Sequence, residues 1–203
     1  MNTPNKLTML RIFLTIIIVL ILLFPLSALG IEYPQLFVNE LIVVDVKYLI
    51  AGVLFIIAAI TDAFDGHIAR KHNLVTDFGK LMDAVADKIL VNAILIILCA
   101  QGFIHPIIPV VIIMRDTFVD SIRMVASAKG KVIPAGKLGK VKTACMMTGL
   151  VLTLFYNLPF EIWNLKIADF LLILATIFSV ISGTQYYMAN KAYFAEKWKL
   201  ITE

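Results

Sequence analysis

Charge is what this chain has least of. Only 16% of its 203 residues are Asp, Glu, Lys or Arg, while 61% are apolar. A soluble globular domain carries about 25% charged residues, so an ordinary water-facing surface is excluded. Cysteine is nearly missing too. Cys99 and Cys145 lie in separate apolar stretches, which excludes a disulfide framework and a thiolate metal site. No module interleaves basic with aromatic residues, and the basic residues are tied to the ends of apolar segments, so no nucleic-acid partner is expected. No linker divides the chain and no internal repeat is evident, so a single domain is expected over residues 1–203.

What the chain does have is long apolar runs. About 20 such residues cross the hydrocarbon of a bilayer as a helix. Six segments qualify, roughly Leu7–Ala28, Lys47–Arg70, Asp77–Gly102, Pro106–Ala128, Gly136–Leu158 and Ile167–Asn190. The expected fold class is therefore an all-α integral membrane protein with six transmembrane helices. The first run is longer than the 7–15 residues of a signal-peptide core, so it is read as an uncleaved span. Six spans put both termini on one side. With that side cytoplasmic, the inner ends hold Lys6, Arg11, Arg70, Lys71, the Lys129–Lys142 cluster and the tail lysines, whereas the outer connections hold only Lys47 and Lys166. The positive-inside rule then makes the N and C termini cytoplasmic.

Ionisable groups within membrane spans are costly and point to function. Asp62 and Asp65 lie three residues apart near the inner end of the second span, and Asp83 and Asp87 lie four apart in the third. Those spacings put each pair on one helix face. In an antiparallel hairpin turning near Asn73 and Leu74, all four would converge about 13–20 Å along the axes from the turn. Four facing carboxylates require protons or cations to offset their charge. Oxygen-only ligands suit hard ions such as Mg²⁺, Mn²⁺ or Ca²⁺, and two metals could clamp a phosphoryl group. Two other readings stay open at this point: helix-end ion pairs with Arg70, Lys80 and Lys88, and an ion path as in a cation transporter. Gly66 and Gly79 remove side chains beside these carboxylates, for close approach either of a ligand or of another helix.

Together the residues read Asp62-x2-Asp65-Gly66-x2-Ala69-Arg70-x8-Gly79-x3-Asp83-x3-Asp87. This resembles the signature of the CDP-alcohol phosphotransferase family at each fixed position, and the six-span layout is similar as well. The resemblance implies that Asp62, Asp65, Asp83 and Asp87 hold two divalent cations, Mg²⁺ or Mn²⁺. It implies that Asp87 is the general base, and that Gly66, Ala69, Arg70 and Gly79 cradle the CDP group of a CDP-activated lipid, CDP-diacylglycerol. It also implies a homodimer in a bacterial plasma membrane, with the site facing the cytoplasm and open sideways to membrane lipid.

The acceptor alcohol is set outside the signature. The opening Pro4-Asn5-Lys6-Leu7-Thr8-Met9-Leu10-Arg11 resembles that of members using glycerol 3-phosphate, which implies that Asn5, Thr8 and Arg11 line the entrance; a positively flanked helix start is the plain alternative. Arg115, Arg123, Lys137, Lys140 and Lys142 form a basic set suited to a doubly charged phosphate monoester. The stretch Gly139-Lys140-Val141-Lys142-Thr143 resembles the same branch, whereas Arg115-Asp116 departs from its usual Arg-Glu. Here too plainer readings exist. Arg123 could pair along its own helix with Asp116 and Asp120, and the lysines could attract anionic lipid. Members using inositol phosphate, and members that form cardiolipin, remain alternatives. The three histidines form no ligand set. Tyr186, Tyr187, Tyr193, Phe194 and Trp198 read as an interfacial aromatic anchor.

Overall fold

The computed structural model describes residues 3–24, 30, 33–38, 42–72, 77–128 and 136–190. Within these, the side chains of residues 3–7, 38, 62–72, 77–81, 83, 84 and 128 lie outside the description. Among the described residues there are six α-helices: α1 Thr3–Leu23, α2 Val46–His72, α3 Asp77–Ala100, α4 Ile107–Ala128, α5 Lys137–Leu154 and α6 Ile167–Asn190. The chain is thus predominantly helical. The one addition to the all-α expectation is an antiparallel hairpin of β1 Gln35–Val38 and β2 Ile42–Asp45, in register from Gln35 opposite Asp45 to Val38 opposite Ile42. Its strands, Gln-Leu-Phe-Val and Ile-Val-Val-Asp, carry the β-branched and aromatic residues that fit a pleated surface.

Helix ends differ from the expected spans for local reasons. α1 stops at Leu23, because the residue preceding Pro25 is disfavoured in helical geometry. α5 stops at Leu154, not Leu158: Tyr156 and Asn157 both take positive φ, and the chain passes through a cis Leu158–Pro159 bond into the 3-10 turn Phe160–Trp163. At the start of α4, His105 Nδ1 accepts the Ile107 N–H at 3.3 Å, so this histidine has a local capping role.

The chain divides into two compact units. One comprises residues 1–103 and 150–166, the other residues 104–149 and 167–203. In the first, α1 packs against both α2 and α3. Its buried stripe is Thr8, Arg11, Thr15, Ile18 and Leu22, at alternating spacings of three and four. α2 buries Tyr48, Ala51, Phe55 and Ala58 in the same rhythm, and α3 buries Ala86, Leu90, Ile94 and Leu98 at spacings of four. One end of the unit is closed by Tyr48, Phe103 and Tyr156, whose rings meet edge to face at 4.8–5.6 Å between centroids. The Tyr156 hydroxyl accepts the Asp45 N–H at 3.2 Å, which ties the hairpin to the turn after α5.

In the second unit α4 packs against α6. The buried stripe of α6 is Ala168, Leu172, Ala175, Ser179, Ser182 and Gly183. Outward faces are apolar in both units. Phe13, Ile16, Leu20 and Leu23 form an exposed ridge on α1, as do Ile50, Val53, Ile57 and Ile60 on α2. Val110 and Met114 on α4, and Ile173 and Ile177 on α6, are likewise exposed. By length and composition, and among the described residues, α6 alone is long and apolar enough to cross a membrane; the apolar stretches Thr8–Leu23 and Val46–Thr61 are shorter.

Candidate active site

Two places carry the chemistry-bearing residues, one in each unit. In the first unit, α2 and α3 run unbroken through the positions of the signature. Carried on along α2, the rhythm of Ala51, Phe55 and Ala58 reaches positions 62, 65 and 69. On α3, positions 87 and 83 lie seven and eleven residues before Ile94, about two and three helical turns away on the same side. Asp87 is half-buried. The side chains of Asp62, Asp65, Gly66, Ala69, Arg70, Gly79 and Asp83 lie outside the described residues, so the expected convergence of the quartet does too. Among the described residues, no three His, Cys, Asp or Glu side chains group to hold a metal.

α1 brings a polar stripe to the same unit. Thr8 and Arg11 are buried, while the Asn5 side chain lies outside the description. Thr15, which that reading did not single out, is buried one turn further on and donates its hydroxyl to the Arg11 carbonyl at 2.8 Å. Arg11 has no exposed surface, on a helix otherwise rich in Ile and Leu.

In the second unit the basic set resolves into a connected core and an outlying part. Asp116 joins Arg115 to Lys142: its Oδ1 accepts from Arg115 Nη1 at 2.9 Å and its Oδ2 from Lys142 Nζ at 2.6 Å. Arg115 reaches across to α6, where Nε donates to the Ser179 carbonyl at 3.2 Å and Nη2 to Ser182 Oγ at 2.8 Å. The Lys142 side chain is 4% exposed and that of Arg115 17%. Low polarity around such groups strengthens charge-assisted bonds. Arg123 turns to α6 as well, donating from Nε to the Tyr186 hydroxyl at 3.2 Å and lying 5.5 Å from the centre of its ring. Tyr186 is thus held by a cation on α4, beyond the interfacial role expected of it. Lys137 and Lys140 are exposed at the start of α5 and stand apart from the core. Residues 129–135 and the tail with Tyr193, Phe194 and Trp198 lie outside the described residues.

Sequence reasoning treated Asp116 as a departure from a pattern and as a possible partner of Arg123, not as a bridge to Lys142, and it passed over Ser179, Ser182 and Gly183. Their signal was present: polar and glycine positions at spacings of three and four in an otherwise apolar helix.

A profile of CDP-alcohol phosphatidyltransferases matches residues 1–188. The chain belongs to the CDP-alcohol phosphatidyltransferase family. Its relatives in the family include a CDP-diacylglycerol–glycerol-3-phosphate 3-phosphatidyltransferase of Bacillus subtilis strain 168, 41% identical over 189 residues, which are 93% of this chain and 95% of that protein. A protein of the same name from Rickettsia typhi is 34% identical over 95% of this chain and 99% of its own length. Another, from Mycoplasma pneumoniae, is 38% identical over 75% of this chain and 67% of its own length. In this CDP-alcohol phosphatidyltransferase, the signature positions lie on α2 and α3, and the bridged cations on α4 and α5.

Proposed function

We propose that the chain transfers the phosphatidyl group of CDP-diacylglycerol to glycerol 3-phosphate, forming phosphatidylglycerophosphate and releasing CMP. The observation that carries this reading is likeness over nearly the whole chain to proteins named for that reaction. The signature on α2 and α3 supports the reaction class, and the bridged cations on α4 and α5 support a phosphate-bearing acceptor.

In this reading the acceptor hydroxyl attacks the phosphorus bonded to diacylglycerol. Asp87 takes the hydroxyl proton, the new oxygen–phosphorus bond forms, and the bond to CMP breaks. Asp62, Asp65, Asp83 and Asp87 would hold two divalent cations. Their chemistry fits Mg²⁺ or Mn²⁺, being oxygen ligands only. When bound, such ions offset the charge of the pyrophosphate and of the departing CMP. Gly66, Ala69 and Gly79 leave room for the nucleotide beside the helices, and Arg70 offers a forked donor to a phosphate oxygen. Arg115 and Lys142 hold the acceptor phosphate, with Arg123, Lys137 and Lys140 adding positive potential. Asn5, Thr8 and Arg11 line the way in.

The same reading makes the chain a single membrane domain of six spans, working as a homodimer in the bacterial plasma membrane, with cytoplasmic termini and a cytoplasmic site. The exposed apolar ridges of α1, α2, α4 and α6 support contact with lipid. Three of the charges that interrupt α4 and α5, Arg115, Asp116 and Lys142, build the cation network.

The test is an acceptor panel. Purified chain, CDP-diacylglycerol and Mg²⁺ or Mn²⁺ are offered glycerol 3-phosphate, inositol phosphate or phosphatidylglycerol, and CMP release is measured. Glycerol 3-phosphate is expected to support turnover at least tenfold above either alternative, a ratio of about 1.4 kcal/mol in transition-state binding. Turnover with inositol phosphate alone would overturn the acceptor.

A further inference from the structure

The Arg115 side chain crosses from α4 to α6 at a glycine. A Cβ placed on Gly183 would lie 2.9 Å from Arg115 Cγ, 3.4 Å from Nε and 3.8 Å from Cδ. Contacts below 3.0 Å force a shift, so the arginine stem occupies the space that any larger residue at 183 would need. Past that point the guanidinium is fixed on three sides by Ser179, Ser182 and Asp116. Three of its five N–H donors are thereby used, which leaves two for a ligand. Asp116 fixes Lys142 with its other oxygen. The group lies in a mostly buried setting.

We propose that Gly183 and Asp116 are positioning residues for the acceptor. Gly183 seats the Arg115 stem against α6, and Asp116 locks Arg115 and Lys142 into one pair of cations that receives the phosphate monoester. The inference rests on the acceptor reading given above and assigns the geometry of that site to two residues that do not themselves bind the phosphate. The physical reason is pre-organisation. Arginine and lysine side chains each have several rotatable bonds, and ordering them in advance lowers the cost of binding. A displacement of about half an ångström at Cγ is small for the fold but is passed along the stem to the guanidinium, and misplacements of about 1 Å can cost up to two orders of magnitude in rate.

The experiment uses purified full-length chain in lipid–detergent micelles, with CMP release measured against each substrate in turn. Gly183→Ala is expected to raise KM for glycerol 3-phosphate about five- to tenfold, with KM for CDP-diacylglycerol within about twofold. Asp116→Asn keeps the shape but turns an NH₂ toward one cation, so it is expected to raise the same KM at least as much, and it carries the test should the alanine variant not fold. Asp116→Glu retains the charge and is expected to recover most of the loss. Equal changes in both KM values, or a loss confined to the active fraction, would mean simple helix packing and would overturn the proposal. Arg115→Ala and Lys142→Ala separate the two layers. If they raise KM for glycerol 3-phosphate while the Gly183 and Asp116 variants do not, the positioning role falls and the acceptor reading stands. If neither raises it, the acceptor reading itself falls.

Discussion

Asp87 and Asp116 are both half-buried aspartates one helical turn or less from another charged residue, yet they are assigned opposite kinds of work. Asp116 spends both oxygens on cations of its own chain and cannot act as a base without losing them. Asp87 lies one turn beyond Asp83 on α3, and the proposed reading gives it the acceptor's proton. Asp87→Asn is therefore expected to lower kcat by about 10²- to 10⁴-fold, the usual worth of a general base, while binding of CDP-diacylglycerol, followed by quenching of the chain's tryptophans, is retained. Wild-type kcat in that variant would remove Asp87 from the proton transfer. The aspartates were legible in the sequence because a carboxylate in an apolar run is conspicuous by its cost. The seat of Arg115 was not legible, since Gly183 becomes meaningful only when a side chain 68 positions earlier is found lying across it.

At the scale of elements, apolar runs located the helices closely, and α6 was expected over the residues it occupies. The hairpin at 35–45 was missed, because two four-residue strands between spans give too short an alternation to stand out from a loop. The end of α5 was misplaced, because positive φ at Tyr156 and Asn157 depends on their surroundings: Asn157 Nδ2 donates to Glu161 Oε2 and to the Leu165 carbonyl, closing the turn. That turn also sets a tight contact. A Cβ at Gly52 on α2 would stand 2.6 Å from Cε2 of Phe155. Gly52→Ala should cost about 1–3 kcal/mol by overpacking, read as a lower midpoint in thermal unfolding of the detergent-solubilised chain. In a Phe155→Leu background the same substitution should cost less than half as much, because the two residues share one space. Equal costs in both backgrounds would show that the ring is not what Gly52 makes room for.

At the scale of the whole molecule, the described residues expose large apolar side chains on several helices while burying some polar ones. Arg11, Lys142 and Ser179 are buried, while Phe13, Ile57, Val110, Ile173 and Met188 are exposed. Water would penalise each of those apolar ridges by roughly 25 cal/mol per Å², and hydrocarbon would not, so the faces are expected to lie in lipid. Membrane insertion then has a definite sense. Lysine and arginine crowd the connection between α4 and α5 and the segments at both chain ends, and they are nearly missing from the connections after α1, α3 and α5. Because cationic loops are retained in the cytoplasm, an alkaline phosphatase reporter fused after Gly102 should be active. The same reporter fused within the Lys129–Lys142 loop, or after Asn190, should be inactive, whereas a green fluorescent reporter at either of those two positions should fluoresce. The opposite pattern would place the bridged cations of Arg115 and Lys142 on the side of the membrane where glycerol 3-phosphate is not made, and the proposed activity could not be sustained from that orientation.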